Sequence, residues 1–344
     1  AGVQAILAAL DAAEGETRIV GGAVRDALVG LPVADVDLAT RFPPAEVIRR
    51  LETAGLKAIP TGIDHGTVTA VAPDITMEVT TLRRDVSTDG RRATVAFTVD
   101  WREDAARRDF TFNALSANPI SGEVFDYFNG LAVQTQHHVR FIGRPLERIA
   151  EDHLRILRFF RFHARFGRGT PDVEGLAACA TRANDLMALS RERIRDEILK
   201  LLAASDPVPA VALMLEHAIL KPVLPEIETD RLDALSAVVA AEKASAVEPS
   251  PLRRLAALLP SSRELADVIA PRLKLSNAER RRLVSMSERQ PADAATNPKV
   301  LAYRLGRGEA VDRLLLLGAP MEAVGLLAAW ERPRRSTAAT IACA

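Results

Sequence analysis

Apolar and polar positions divide the chain into three stretches. Residues 1–14 are rich in Ala and Leu and space their apolar side chains as an amphipathic helix does. From residue 18 to about 133 the pattern favours strands with a few helices. A short apolar strand at 18–20 runs into the Gly21-Gly22 turn, a short helix from Ala23 and a second strand holding Asp35 and Asp37. A helix is predicted over 43–54, where Pro44 suits the first turn. Strands are predicted at 57–60, 67–72 and 75–80, with turns at 62–66 and 73–74. After the break at 167–171 the pattern is helical to the end, interrupted at 205–209, 248–251 and 290–298. There is no internal repeat.

At 344 residues the chain has room for two or three domains and a sizeable core. Its formal charge is zero, so no global field draws it toward nucleic acid. Only six of the 45 basic residues are Lys; the rest are Arg, suited to planar contacts with phosphate and bases. A GC-rich genome accounts for most of that bias. Cys179 and Cys343 lie far apart and form no metal or disulfide framework. With no apolar run near membrane length and no signal segment, a cytoplasmic protein without a membrane partner is expected.

Candidate chemistry begins at Asp35 and Asp37. On a strand, residues i and i+2 share a face, so both carboxylates point one way while Val36 and Leu38 point into a core. Like charges this close disfavour each other, and a divalent cation such as Mg²⁺ removes the conflict. Ahead of them, Gly21 and Gly22 let the backbone approach a ligand, the following helix start offers N–H groups to phosphate, and Arg25 adds positive charge. Glu78, in the predicted strand at 75–80, is the candidate third carboxylate of a metal site.

Two further constellations follow. In Arg107-Arg108-Asp109-Phe110-Thr111-Phe112-Asn113-Ala114, a helix would bring Asp109 and Asn113 to one face at i and i+4, where they could bond ribose hydroxyls. Arg108 would serve the triphosphate or sugar. In residues 151–162, Asp152, Arg155, Arg158 and Arg161 recur every three positions, a slowly drifting stripe on one helix. Leu154, Ile156, Leu157 and Phe160 bury the other side.

The run Gly-Gly-Ala-Val-Arg-Asp-Ala-Leu with its later Asp-x-Asp closely resembles the signature of the polymerase-β-like nucleotidyltransferases. The likeness is to the tRNA nucleotidyltransferase (CCA-adding) and bacterial poly(A) polymerase family in particular, and covers roughly residues 18–202 through ordered motifs. It implies an α+β chain: a nucleotidyltransferase head with a mixed sheet over 1–137, then an all-α neck over 138–205 and body and tail over 206–344. The implied catalytic residues are Asp35, Asp37 and Glu78, with Mg²⁺ on Asp35 and Asp37. The implied nucleotide-binding residues are Gly21, Gly22, Arg25, Arg108, Asp109, Asn113, Asp152, Arg155, Arg158 and Arg161. Residues 83–98 resemble the mobile loop that takes part in switching from CTP to ATP, and 190–202 a helix that braces the neck. Basic clusters at 273–283 and 332–335 would touch tRNA phosphates. Where the family has Asp-Leu after Gly130, this chain has Val133-Gln134, which weakens any hinge role there. No His-Asp phosphohydrolase pattern is visible in the C-terminal half.

In that family Glu-Asp-x-x-Arg reads the incoming base. Cytosine and adenine both present an amino donor beside a ring-nitrogen acceptor, which one carboxylate (Asp152) and one guanidinium (Arg155) complement. Guanine and uracil present the reverse order, and mismatched buried polar groups give discrimination on the order of 10⁴-fold. Glu151 would position Arg155 or cap the helix. The implied activity is template-independent addition of C, C and A to the tRNA 3′ end from CTP and ATP. Rival readings are an ATP-specific poly(A) polymerase, a CC- or A-adding subtype, and a silent RNA-binding scaffold. Oligomeric state is left open.

Overall fold

β1 (Thr17–Val20) and β2 (Asp37–Thr40) lie antiparallel within a seven-stranded sheet, with Ile19 opposite Leu38 and Val20 opposite Asp37. The computed structural model describes residues 1–33, 35–88, 93–132 and 137–327. The strand order is β3-β4-β5-β2-β1-β8-β9, with β3 (Lys57–Gly62), β4 (Thr67–Ala72), β5 (Ile75–Thr81), β8 (Ser116–Ala117) and β9 (Val124–Phe125). β2 and β5 pair in parallel and the other neighbours antiparallel, so the sheet is mixed, as expected.

One sheet face is covered by α1 (Gly2–Ala9) and α3 (Pro44–Thr53). Ile6, Leu7, Leu10, Val47 and Leu51 meet Leu38, Val68, Met77 and Val79 there. Each large side chain so buried contributes about 1.5–3 kcal/mol. Leu38 is fully buried and Val36 packs against the same core, which turns Asp35 and Asp37 the other way. The strand is nevertheless shorter than predicted. β2 begins at Asp37, and Asp35 precedes it, because β1 ends at Val20 and the chain turns away at Gly21. α1 also stops early, at a left-handed turn on Asp11 (φ 48°).

α2 (Gly22–Leu28) follows the glycine turn. Residues 83–98, expected as a charged loop, include a two-stranded hairpin of β6 (Arg83–Thr88) and β7 (Ala93–Phe97). Asp89 and Gly90 lie outside the described residues, as do Val133, Gln134, Cys343 and the 332–335 cluster.

Two predicted helices are broken. α4 (Trp101–Ala106) ends before Asp109, and Phe110 is extended (φ −121°, ψ 150°), bridged to Phe141. A 3₁₀ turn at Thr111–Ala114 follows, so Asp109 and Asn113 do not share an α-helix. Burial of Phe110, in ring contact with Phe112, Phe141, Phe159 and Phe162 at 4.7–6.4 Å, outweighs helix propensity there. Similarly α5 (Pro145–Glu151) ends at Asp152, extended at φ −153°, and α6 (Arg155–Phe166) begins three residues later. The Asp152 carboxylate accepts from the Leu154 N–H, a local bond that competes with helix continuation. Asp152 therefore stands ahead of the arginine stripe, not on it. α7 (Val173–Thr181) follows. Gly130, after β9, abuts the Thr111 backbone, whose carbonyl a Cβ would approach to 2.4 Å.

The chain forms two compact units, Ala1–Arg182 and Ala183–Ala344. In the second, every described regular element is a helix. α8 (Arg191–Leu202) has Ser190 at its N-cap, with no side-chain capping bond. Then come α9 (Val208–Glu216), α10 (Leu232–Ala244), α11 (Pro251–Leu258), α12 (Arg263–Arg272) and α13 (Asn277–Ser287). α14 (Pro291–Ala295), α15 (Pro298–Leu305), α16 (Arg307–Leu316) and α17 (Met321–Gly325) complete it. Its helices are tied by buried ion pairs: Arg253 to Glu242 (2.6 Å) and Asp312 (2.9 Å), and Arg254 to Glu242 (2.8 Å). Arg282 joins Asp312 at 2.6 Å and Arg280 joins Asp267 at 2.8 Å, so part of the 273–283 cluster is engaged within the unit.

Candidate active site

The site grows from the bend after β1. Gly21 has φ 67° and ψ −120°, a backbone state that side chains other than glycine's strain to adopt. Its N–H donates to the Leu115 carbonyl, and a Cβ there would lie 3.0 Å from Arg108 Nη1. The missing side chain is what admits the guanidinium. Arg108 is held from behind, Nη2 donating to Asp104 Oδ2 at 3.1 Å and Nη1 to the Asn113 carbonyl at 3.3 Å.

Asp35 and Asp37 are exposed, Asp37 on the sheet face opposite the one that α1 and α3 cover and Asp35 just ahead of the strand. Among the described residues neither has an ion pair or a side-chain hydrogen bond. Desolvation raises the Asp37 pKa, the Asp35 charge raises it further, and Arg108 pulls it partly back. Two carboxylates whose repulsion Arg108 only partly offsets are a donor set that fits Mg²⁺. Glu78 is also exposed, on β5 one residue before Val79, which is opposite Leu38. Alternation puts Glu78 on the same sheet face as Asp37. It does not complete a three-acid set: no group of three or more His, Cys, Asp or Glu among the described residues is placed to hold a metal ion.

Arg25 is not at the mouth of the site. It is buried, Nε donating to Asp26 (2.7 Å) and Nη1 to Asn113 Oδ1 (2.6 Å), with its guanidinium over Phe162 and Phe166 at 5.3 and 5.0 Å. Asp109 and Asn113 are buried as well and face each other despite the broken helix, Asn113 Nδ2 donating to Asp109 Oδ1 at 2.9 Å. Arg158 closes on Asp109 Oδ2 at 2.6 Å. Burial would raise the Asp109 pKa, but Arg158 and Asn113 hold it below the usual carboxylate value. The ribose-binding atoms expected here are thus engaged internally.

At the break between α5 and α6, Asp152 and Arg155 are half-buried. Arg155 is anchored: Nη1 donates to Glu151 Oε2 (2.5 Å) and the Arg148 carbonyl (2.8 Å), and Nη2 to the Arg107 carbonyl (3.2 Å). Arg161 stacks on Phe162 at 4.0 Å. The stripe is a set of braces rather than a solvated face.

Two residues escaped sequence reasoning. Asp104, buried, receives Arg107 and Arg108 and the Arg83 N–H. Burial opposes its charge, yet Arg108 and Arg107 keep its pKa below the ordinary value. Its signal was the i, i+3 and i, i+4 spacing to that arginine pair. Arg148 donates to the carbonyls of Arg107 and Arg108, a contact no local spacing announces.

A mixed sheet carrying a glycine turn, a helix and an exposed acidic pair is a polymerase-β-like nucleotidyltransferase head. Residues 17–140 match the family model "Poly A polymerase head domain", and 171–230 match "Probable RNA and SrmB- binding site of polymerase A". Among similar proteins is the mitochondrial CCA tRNA nucleotidyltransferase 1 of Danio rerio, 40% identical over 270 residues, 77% of this chain and 61% of that protein. Its Mus musculus counterpart is 48% identical over 190 residues, 54% of this chain and 44% of that protein. The chain spans about half the length of the curated relatives it matches. A solved structure, the Bacillus stearothermophilus CCA-adding enzyme in complex with CTP, superposes with TM-score 0.69 at 25% identity, covering 95% of this chain and 81% of that one. The chain belongs to the tRNA nucleotidyltransferase (CCA-adding enzyme) and bacterial poly(A) polymerase family.

Proposed function

We propose that this chain adds C, C and A in turn to the 3′ end of tRNA from CTP and ATP, without a template and with release of pyrophosphate. The observation that carries the reading is the Asp35–Asp37 pair, exposed, without an ion pair among the described residues, its repulsion only partly offset by Arg108, and next to the Gly21–Arg108 contact. The names of its relatives support the same reading.

In this reading Asp35 and Asp37 hold Mg²⁺, whose chemistry when bound is to acidify the primer 3′-hydroxyl and to draw off charge on the phosphates. Gly21, Gly22 and Arg108 orient the triphosphate. The 3′ oxygen bonds to the α-phosphorus as the bond to the bridging oxygen breaks and pyrophosphate leaves. Asp152 and Arg155 select the base, while Arg25, Asp109, Asn113 and Arg158 hold the frame around them. Glu78 lies on the same face as an auxiliary acid. We assign the chemistry to residues 1–137, base choice to 138–205 and tRNA contact to 206–344, and place the protein in the cytoplasm.

The test supplies tRNA lacking its last three nucleotides, Mg²⁺ and each labelled NTP in turn. CTP should extend the primer first, ATP should follow once the cytidines are present, and UTP and GTP should remain unused. The family models' polymerase A descriptions keep one alternative in view. Long A tails on generic RNA with CTP inert would establish it, and no pyrophosphate from any NTP would leave an RNA-binding scaffold.

A further inference from the structure

Arg148, on α5, lies across the end of α4 and the residues after it. Its Nη2 donates to the carbonyls of both Arg107 and Arg108 at 2.6 Å, and its Nη1 to Glu151 at 2.8 Å. The two carbonyls follow the last turn of α4, where helices leave acceptors unpaired. Arg155 reaches the same partners, Glu151 and the Arg107 carbonyl. Both guanidinium side chains are only 12% exposed, so water competes poorly for these bonds. The backbone they grip carries Arg108, which stands against Gly21 and acts on Asp37. One clamp therefore ties the base-choosing turn to the cation beside the acidic pair.

We propose that Arg148 is a positioning residue that sets the register between Asp152–Arg155 and Arg108, so that only a base that fits its readers has its α-phosphorus placed for attack. The inference rests on the function proposed above and adds a residue that need not touch the nucleotide. A planar fork spanning two carbonyls and a carboxylate fixes three points at once, which the point charge of lysine cannot. A displacement of about 1 Å at a reacting centre can cost on the order of 10²-fold in rate. A clamp that only stabilised the fold would change the active fraction and scale all four nucleotides alike.

The experiment measures kcat and KM for each NTP on tRNA lacking its terminal nucleotides, in the full chain, for wild type, Arg148→Lys, Glu151→Gln and the double variant. Truncation of Arg148 to Ala would strand two carbonyls, so the conservative pair carries the test. Arg148→Lys should lower kcat for CTP and ATP by about 10²-fold. It should also reduce preference over UTP and GTP at least about tenfold, with tRNA affinity unchanged. Glu151→Gln should show the same signature, and the double variant should add little, as for residues acting as one unit. Equal losses for all four nucleotides, or wild-type preference in Arg148→Lys, would overturn the inference. Wild type that adds neither C nor A would instead sink the function itself.

Discussion

Two of the arginine–carboxylate clusters among the described residues, one in each unit, do opposite things with their charge. In the helical unit, Glu242 and Asp312 are almost fully buried, and Arg253, Arg254 and Arg282 meet them at 2.6–2.9 Å. Arg254 also donates to the Leu202 and Ala204 carbonyls, so each charge is satisfied within the fold. In the sheet unit, Asp104 and Asp109 are neutralised in the same way, but Asp35 and Asp37 are left out. A closed network gives rigidity at a desolvation cost, whereas an open acid pair at a glycine turn stores repulsion that a cation can relieve. The difference lies in whether an arginine reaches in, not in composition. Arg108 is near enough to act on Asp37 but is tied to Asp104.

That contrast can be broken most forcefully at the open pair. Asp37→Ala should lower nucleotide transfer on the order of 10³-fold or more, since several kcal/mol of transition-state stabilisation go with the metal. Its thermal midpoint should hold or rise as repulsion is removed. A cooperative loss of fold, seen in a melt, would show the acid to be structural. At the closed cluster the same kind of change should do the reverse. Asp312→Ala removes the buried carboxylate shared by Arg253 and Arg282, leaving Arg253 with Glu242 alone, and should destabilise by about 3–5 kcal/mol in urea titration. Native-like stability would mean the network is not cooperative.

Smaller effects sharpen the picture. Arg155→Ala should relax nucleotide choice by on the order of 10²-fold in CTP against UTP, and a variant that still incorporates only C and A would refute the base-pairing model. Gly21→Ala should cost about 1–3 kcal/mol for the strained backbone, with a raised KM for NTP where the new Cβ crowds Arg108. The least effect concerns His163, buried on α6, whose pKa lies below its ordinary 6.5 through burial and the nearby His138. Because the folded state holds fewer protons than the unfolded one, stability should fall as pH drops below about 6.5. Denaturation curves of His163→Gln should lose that dependence.

Much of the sheet and of the acid pair could be read directly from the chain. Val36 and Leu38 alternate with Asp35 and Asp37, and burying the two apolar side chains in one core turns both acids outward although the strand itself begins only at Asp37. α3 and strands β3 to β5 fall within a few residues of their predicted spans for the same reason, period and turn chemistry being local properties. The interruptions at Phe110 and Asp152 could not be read that way. Each local run suits a helix, and each is overridden, one by an aromatic cluster drawn from three segments and the other by a carboxylate bonding its own backbone.

The sequence by itself determined that two acids would face outward together past a glycine turn, because the apolar Val36 and Leu38 that alternate with them are a local pattern drawn into one core. Only the tertiary structure decided which charges those acids would meet. Arg25 is turned inward to Asn113, Arg158 is taken by Asp109, and Arg148 is laid across two carbonyls forty residues away. An arginine's reach is long and its partners are chosen by packing, so a pattern along the chain names the cation without saying where its charge will be used.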